Sequence, residues 1–248
     1  NPVGVNGAVT VSQVGNLQTV TTTNGSAIIN WDRLSVLQNQ VMQFNQPSAS
    51  SSVLNRVLND PTVIYGTLRS NGSVWLINPA GVMVGAGGVI DTAGFVASTL
   101  NIRNEDFLAG RKLFENTPGA GNVLNQGAIR TPAGGSVYLI GSSVSNEGII
   151  HTPGGETILA AGATVSLVDS ATPGVRVEIT GAQGNATNLG SITAEAGRIG
   201  IAGVVVRNGG LINASSAVSE GGRVFLRASH DAYVDGNGRI VTTGTRGG

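Results

Sequence analysis

A spaced repeat constrains this chain more than any other feature. Asn125, Asn146, Asn188 and Asn208 each stand two residues before a glycine (Gly127, Gly148, Gly190, Gly210) and four before an isoleucine (Ile129, Ile150, Ile192, Ile212). Successive asparagines are 21, 42 and 20 residues apart. The double interval is read as one further coil, near residues 165–179, that has lost its Asn and kept its length. A period of this size is one coil of a solenoid.

A second glycine column runs in step with the first. After Gly135, Gly155, Gly197 and Gly222, the residues two and four further on are Val137 and Leu139, Thr157 and Leu159, Ile199 and Ile201, Val224 and Leu226, with a looser copy at Gly238 and Ile240. Alternation places both members of each pair on one face of a short strand. Short strands, corner Gly and Asn and no helical spacing describe an all-β parallel β-helix with coils of about 20–21 residues. A leucine-rich repeat of similar period needs Leu at fixed offsets and a helical return, and here Val, Ile and Gly dominate. The recurring Asn has two readings, which are compatible. It is a turn former that tolerates left-handed backbone, or it forms a ladder in which each amide bonds the next.

Ahead of the repeats, Asn78-Pro79-Ala80-Gly81 interrupts an apolar stretch. Asn at i, Pro at i+1 and Gly at i+3 suit a type I turn, and Ala80 excludes type II, which needs positive φ at i+2. Val74-Trp75-Leu76-Ile77 and Val82-Met83-Val84 are apolar at successive positions, so both faces of each strand are expected to be covered. Elsewhere the front half is less regular. Leu34, Leu37, Val41 and Phe44 keep helical spacing while Ala27-Ile28-Ile29 reads as strand, and both readings stand. Residues 45–62, with two prolines, read as a loop excursion, and charge-rich 102–114 as a short helix or surface loop. The expected organisation is one domain, 1–248. Residues 1–72 form an N-terminal cap with extra-helical elements, and coils fill 73–248 with an excursion near 102–120. The cap would cover the unpaired edge of the first coil.

Composition narrows the function classes. With 14 basic and 14 acidic residues in 248, only 11% charged, the chain lacks the electrostatic footprint of a nucleic-acid binder. It has no cysteine, which excludes disulfides, thiolate metal sites and cysteine nucleophiles. No run of 18 apolar residues exists, and the opening has neither Met nor a signal-peptide pattern. A signal peptide, if one was made, is expected to have been removed. The repeat-like end is read as continuing into a longer protein.

The blocks "NGSAIINWDRLSV" and "VLNRVLNDPTVIYGTLRSNGSVWLINPAGVMVGAGGVIDTAGFVASTLNI" resemble the N-terminal secretion domain of two-partner-secretion (TPS) exoproteins, the filamentous haemagglutinin and high-molecular-weight adhesin group. The resemblance covers most of residues 1–110 in order. It implies a right-handed β-helix with an N-terminal cap and extra-helical strands. It also implies export, with recognition by the POTRA domains of an outer-membrane β-barrel transporter and nucleation of β-helix folding outside a Gram-negative cell. Residues carried over as a secretion or folding motif are Asn78, Pro79, Ala80, Gly81, Asn30, Trp31, Asn55 and Arg56. Partners implied are the transporter and the C-terminal remainder of the exoprotein, with a host-cell receptor or glycan as a further possibility. Two departures stand out. The family corner is Asn-Pro-Asn-Gly where this chain has Ala80, and an Asn-Pro-Asn-Leu tetrapeptide is replaced by Asn45-Gln46-Pro47-Ser48, which points to the adhesin-like branch.

Rival functions find less in the residues. A β-helix polysaccharide lyase or hydrolase needs carboxylates clustered on neighbouring coils, and Glu147, Glu156, Asp169, Glu178, Glu195 and Glu220 share no repeat position. Asp231, Asp235 and Asn237 lack calcium-loop spacing, His151 shares a coil position with Arg130, Thr193 and Asn213, and Gly85, Gly87 and Gly88 lack the Lys-Ser/Thr of a phosphate loop. No metal, cofactor or catalytic role is expected. Asn24, Asn71, Asn185 and Asn213 occupy sequons that are equally turn chemistry. Adhesion by the domain itself is the remaining alternative. Its candidate contacts are Trp31, Trp75, Tyr65, Tyr138 and Tyr233, and most of these are expected in the core.

Overall fold

Parallel strands repeat along three faces of a solenoid. The computed structural model describes residues 2–169, 175–181, 184–217 and 221–245. The first face starts with Leu17–Thr22 and Val41–Asn45 and passes through the leading halves of Thr67–Ile77 and Val89–Ser98. It continues through Ala128–Arg130, Ile149–His151, Ser191–Thr193, Leu211–Asn213 and Arg239–Val241. The second runs from Ser26–Trp31 and Ser52–Val57 through the trailing halves of those two long strands to Ser136–Gly141, Glu156–Ala161 and the starts of Arg198–Asn208 and Arg223–Val234. The third joins Thr62–Ile64, Val82–Val84, Val123–Asn125, Ser143–Asn146, Asn185–Asn188 and the ends of the same two long strands. This is a parallel β-helix, as the repeats require.

Inward positions fill a single column of apolar side chains along the axis. Ile90, Ile129, Ile150, Ile192 and Ile212 stack on the first face, and Val137, Leu139, Leu159, Ile199 and Ile201 on the second, all buried. The second face is also buried on its outer side. There Ile28, Leu54, Trp75, Ile77, Val96 and Ile140 meet a separate apolar layer. That layer comes from the helix Asn104–Leu108, the strand Lys112–Phe114 and the strands Thr164–Asp169 and Val175–Thr180, which form a small antiparallel sheet. Phe107 meets the Trp75 ring edge-on at 5.2 Å and Phe114 stacks on it at 6.0 Å. Continuous apolarity at 74–77 thus reflects two cores. On the third face the expectation of two-sided burial is corrected, because Met83 points outward and is only half-buried.

The structure corrects four further expectations. Residues 165–179 are no coil, since Ser143–Asn146 pairs directly with Asn185–Asn188 and the intervening residues supply the antiparallel hairpin. The 42-residue interval is one coil plus an insertion. Parallel coils begin at Leu17 and Ser26 rather than at 73, and the cap is confined to Val3–Asn6 and Val9–Val14, which pair antiparallel with the first coil. Residues 45–62 hold the strand Ser52–Val57 instead of a loop excursion, and the helical spacing at 34–44 yields strand Val41–Asn45 with Leu37 exposed. Finally, Gly238 belongs to the first glycine column, because Ile240 pairs with Ile212. Of the weighed carboxylates, Glu220 lies outside the described residues.

Glycine columns follow from carbonyls at the corners. The Gly127 carbonyl accepts from the Ile149 amide, Gly148 from Ser191, Gly190 from Leu211 and Gly210 from Arg239, each at 2.9 Å. A Cβ on Gly148 would sit 2.2 Å from the Gly127 oxygen, and on Gly190 2.1 Å from that of Gly148. Close backbone approach, with no positive φ needed at these positions, excludes every side chain. Gly148→Ala is therefore expected to lower stability by about 1–3 kcal/mol, as overpacking does. Gly25→Ala, where a Cβ meets nothing within 4 Å, should stay within about 0.5 kcal/mol of wild type. Urea unfolding midpoints of the two variants check the contrast.

Candidate functional site

Three successive coils turn from the second face to the third at one corner, and the motif residues gather there. Asn30 pairs with Arg56, and Arg56 with Ile77, immediately before Asn78. The Trp31 indole N–H donates to Asn55 Oδ1 at 2.8 Å in a buried contact. Asn30 is half-buried, and its Oδ1 has no hydrogen-bond partner among the described residues. Arg56 reaches outward instead and binds the excursion, donating to the Ile102 carbonyl at 2.7 Å, Asn104 Oδ1 at 3.0 Å and Asn101 Oδ1 at 3.3 Å. Burial holds its guanidinium pKa below the usual value. Arg56 thus ties the layer that covers Trp75 to the coil.

Asn78 is fully buried and its side chain is saturated. Its Oδ1 accepts from the Ala80 amide at 3.0 Å, and its Nδ2 donates to the Asp60 carbonyl at 2.8 Å and to Thr62 Oγ1 at 2.9 Å. The Gly81 amide closes the turn on the Asn78 carbonyl at 3.0 Å. Ala80 is absent from the positive-φ residues, so the turn is not type II, and Gly81 takes a φ of 132°, which favours glycine. The Pro79 carbonyl accepts from the Gly121 amide at 2.8 Å, so the next coil is seated on the turn. Asp60 and Thr62 were missed in the sequence because they fell in a stretch read as loop. Their signal is Asp-Pro-Thr ending one coil earlier at the same corner.

On the third face the four asparagines form a buried ladder. Nδ2 of Asn125 donates to Oδ1 of Asn146 at 2.7 Å, Asn146 to Asn188 at 2.8 Å, and Asn188 to Asn208 at 2.8 Å. All four lie in extended strands. The described non-glycine residues at positive φ are Asn39, Asp60 and Ala196, so the left-handed role considered for the ladder residues is not used.

The other candidates separate. Trp31, Trp75 and Tyr138 are core residues, whereas Tyr65 and Tyr233 are exposed. Glu156 is buried and accepts from the Tyr138 hydroxyl at 2.9 Å and Arg198 at 3.2 Å. His151 pairs with Glu195 at 3.0 Å on the outer first face, in register with Arg130, Thr193 and Asn213. Asp235 pairs with Arg207, and Asp231 with His230. Hydrogen bonds from His230 and Tyr233 hold the Asp231 carboxyl below its ordinary pKa. Among the described residues no three His, Asp or Glu side chains are grouped as metal ligands. No described helix is long and apolar enough to cross a membrane.

Comparison with known proteins bears on this geometry. The family model described as TPS secretion domain matches residues 2–242. A crystal structure of the HMW1 secretion domain from Haemophilus influenzae superposes with a TM-score of 0.88 at 32% identity, covering 98% of this chain and 73% of that one. The filamentous hemagglutinin secretion domain shares the fold, with a TM-score of 0.53 at 16% identity over 98% of this chain and 99% of that one. Among curated proteins, a heme/hemopexin-binding protein of Haemophilus influenzae is 34% identical over 117 residues, 47% of this chain and 12% of that protein's length. A second protein of the same name and species is 32% identical over 98 residues, 39% of this chain and 11% of its own length.

The ladder makes a graded prediction. Asn146→Ala strands the buried Asn125 donor and leaves the Asn188 acceptor without the Asn146 amide, at about 2–4 kcal/mol. Asn208→Ala removes only the last acceptor, and Asn188 Nδ2 still faces the Leu211 carbonyl at 3.3 Å, so its cost is about 1 kcal/mol. Chemical denaturation of both variants measures the order.

Proposed function

The chain belongs to the TPS secretion domain family, and on that premise we propose that it directs the export of an exoprotein through its dedicated outer-membrane transporter. TPS domains belong to exported proteins of Gram-negative bacteria, secreted or surface-exposed. In this reading the chain reaches the periplasm behind a signal peptide that is then removed. It meets the transporter's POTRA domains unfolded, passes through the barrel and folds outside as the base for the rest of the same exoprotein. The family match over residues 2–242 is the observation that carries the reading.

Several physical features support it. Coils that contact mainly their neighbours fold by propagation, as an emerging chain requires. A chain without cysteine cannot be locked by a disulfide in the oxidising periplasm. The role is non-catalytic, and the buried carboxylate Glu156 is already engaged by Tyr138 and Arg198. In the folded domain the Asn78 side chain is sealed from solvent. The bonds the corner makes to the coil before it and the coil after it give it a role in folding, and its mutation impairs export by impairing folding.

Secretion into the medium tests both parts. With a signal peptide and the cognate transporter co-expressed, wild type should appear outside, and only when the transporter is present. Asn78→Ala should remain inside and, as purified protein, lose about 2–4 kcal/mol. Asn78→Asp keeps the acceptor for Ala80 but lacks the donor for Asp60 and Thr62, so it should behave alike. Export without any transporter would overturn the function. A retained variant of wild-type stability would overturn the folding role and make the corner a recognition element.

A further inference from the structure

Where the third face returns to the first, the early corners differ from the later ones. The position that holds Asn125, Asn146, Asn188 and Asn208 is occupied by Ile64 and Val84 in the two preceding coils, so the ladder does not reach this end. There the corner residues project and enclose an open cleft of about 570 Å³ lined by Gln38, Asn39, Gln40, Tyr65 and Thr67. A second hollow of about 220 Å³, also bordered by Gln40, continues it past Gln13, Asn16 and Gln18. Neither is lined by an acidic or basic side chain.

The cleft is built rather than loose. Gln40 N–H donates to the Leu37 carbonyl at 3.0 Å, and the Leu37 amide returns a bond to Gln40 Oε1 at 2.9 Å. Asn39 is fixed between them at a φ of 65°. Tyr65 lies against the backbone of the next coil, where a Cβ on Gly85 would fall 2.2 Å from the ring. That glycine lets the ring lie on the surface, two-fifths exposed. Among the described residues the Gln38 and Asn39 side-chain amides make no hydrogen bond, and both residues are exposed.

An exposed aromatic ring offers an apolar platform, and primary amides beside it each offer a donor and an acceptor. Adjacent hydroxyls on a sugar ring need that pairing, while the ring's C–H face needs the platform. A site for an acidic sugar would place a cation, and none lines this cleft. We propose that the cleft at Tyr65, Gln38 and Asn39 binds a neutral saccharide, giving the domain a ligand site separate from the corner at Asn78.

The purified domain, isotopically labelled, would be titrated with lactose, N-acetyllactosamine, maltotriose and mannotriose, their sialylated or sulfated counterparts, and an uncharged peptide. Backbone amide shifts are the readout. At least one neutral sugar should move the amides of residues 37–40 and 65–67. Tyr65→Ala should weaken its binding by about tenfold and Tyr65→Phe should stay within about threefold. Gln38→Glu, at an exposed position that leaves packing intact, should weaken binding while the remaining spectrum is unchanged. The proposal is overturned if no neutral sugar moves these amides at millimolar concentration, if acidic sugars or the peptide bind better, or if neither Tyr65→Ala nor Gln38→Glu matters.

Discussion

Each corner carbonyl of this solenoid lies directly beneath the backbone of the next coil, and the rest of the structure depends on that contact. The Gly127, Gly148, Gly190 and Gly210 carbonyls are the acceptors that hold successive coils in register. Their spacing leaves no room for a Cβ, so the glycine column is a steric requirement of the hydrogen bonding. The asparagine ladder runs parallel to it two residues earlier, adding a side-chain bond per coil where the interior would otherwise hold an unpaired amide. Together they set the register of the four coils that carry both columns.

A second constraint makes the stack uneven. The second face is covered on both sides from Ser26–Trp31 to Glu156–Ala161, by the axial core and by the layer around Trp75, Phe107 and Phe114. Arg56 fastens that layer to the early coils, and Asn78 joins the corner before it to the coil after it. By contrast, Arg223–Val234 exposes Phe225, Tyr233 and Val234. Buried apolar area is therefore concentrated in the coils bearing the motif residues.

The sequence revealed what repeats. Fixed Asn-x-Gly-x-Ile offsets specified the period, the strand type and the stacking column, because register imposes the same residue at the same place in every coil. It concealed what does not repeat. The insertion that carries the antiparallel strands Thr164–Asp169 and Val175–Thr180 adds the length of a coil and alternates like one, so spacing alone could not separate insertion from repeat. Ser52–Val57 was hidden because its flanking prolines suggested loop, although Val53 and Leu54 face two different cores. At the corner, Pro79, Ala80 and Gly81 disclosed the turn type through local backbone preference. The acceptors of Asn78 Nδ2, in contrast, lie 16 and 18 residues away and follow only from the fold.

Pulse-labelled hydrogen exchange during refolding of the purified domain tests the central claim, that order starts in the doubly covered early coils and spreads by stacking. The account predicts that the amides of Ser52–Val57 and residues 74–78 gain protection first, with Arg198–Asn208 later and Arg223–Val234 last. Protection arising first in Arg223–Val234, or at one rate in every coil, would contradict it.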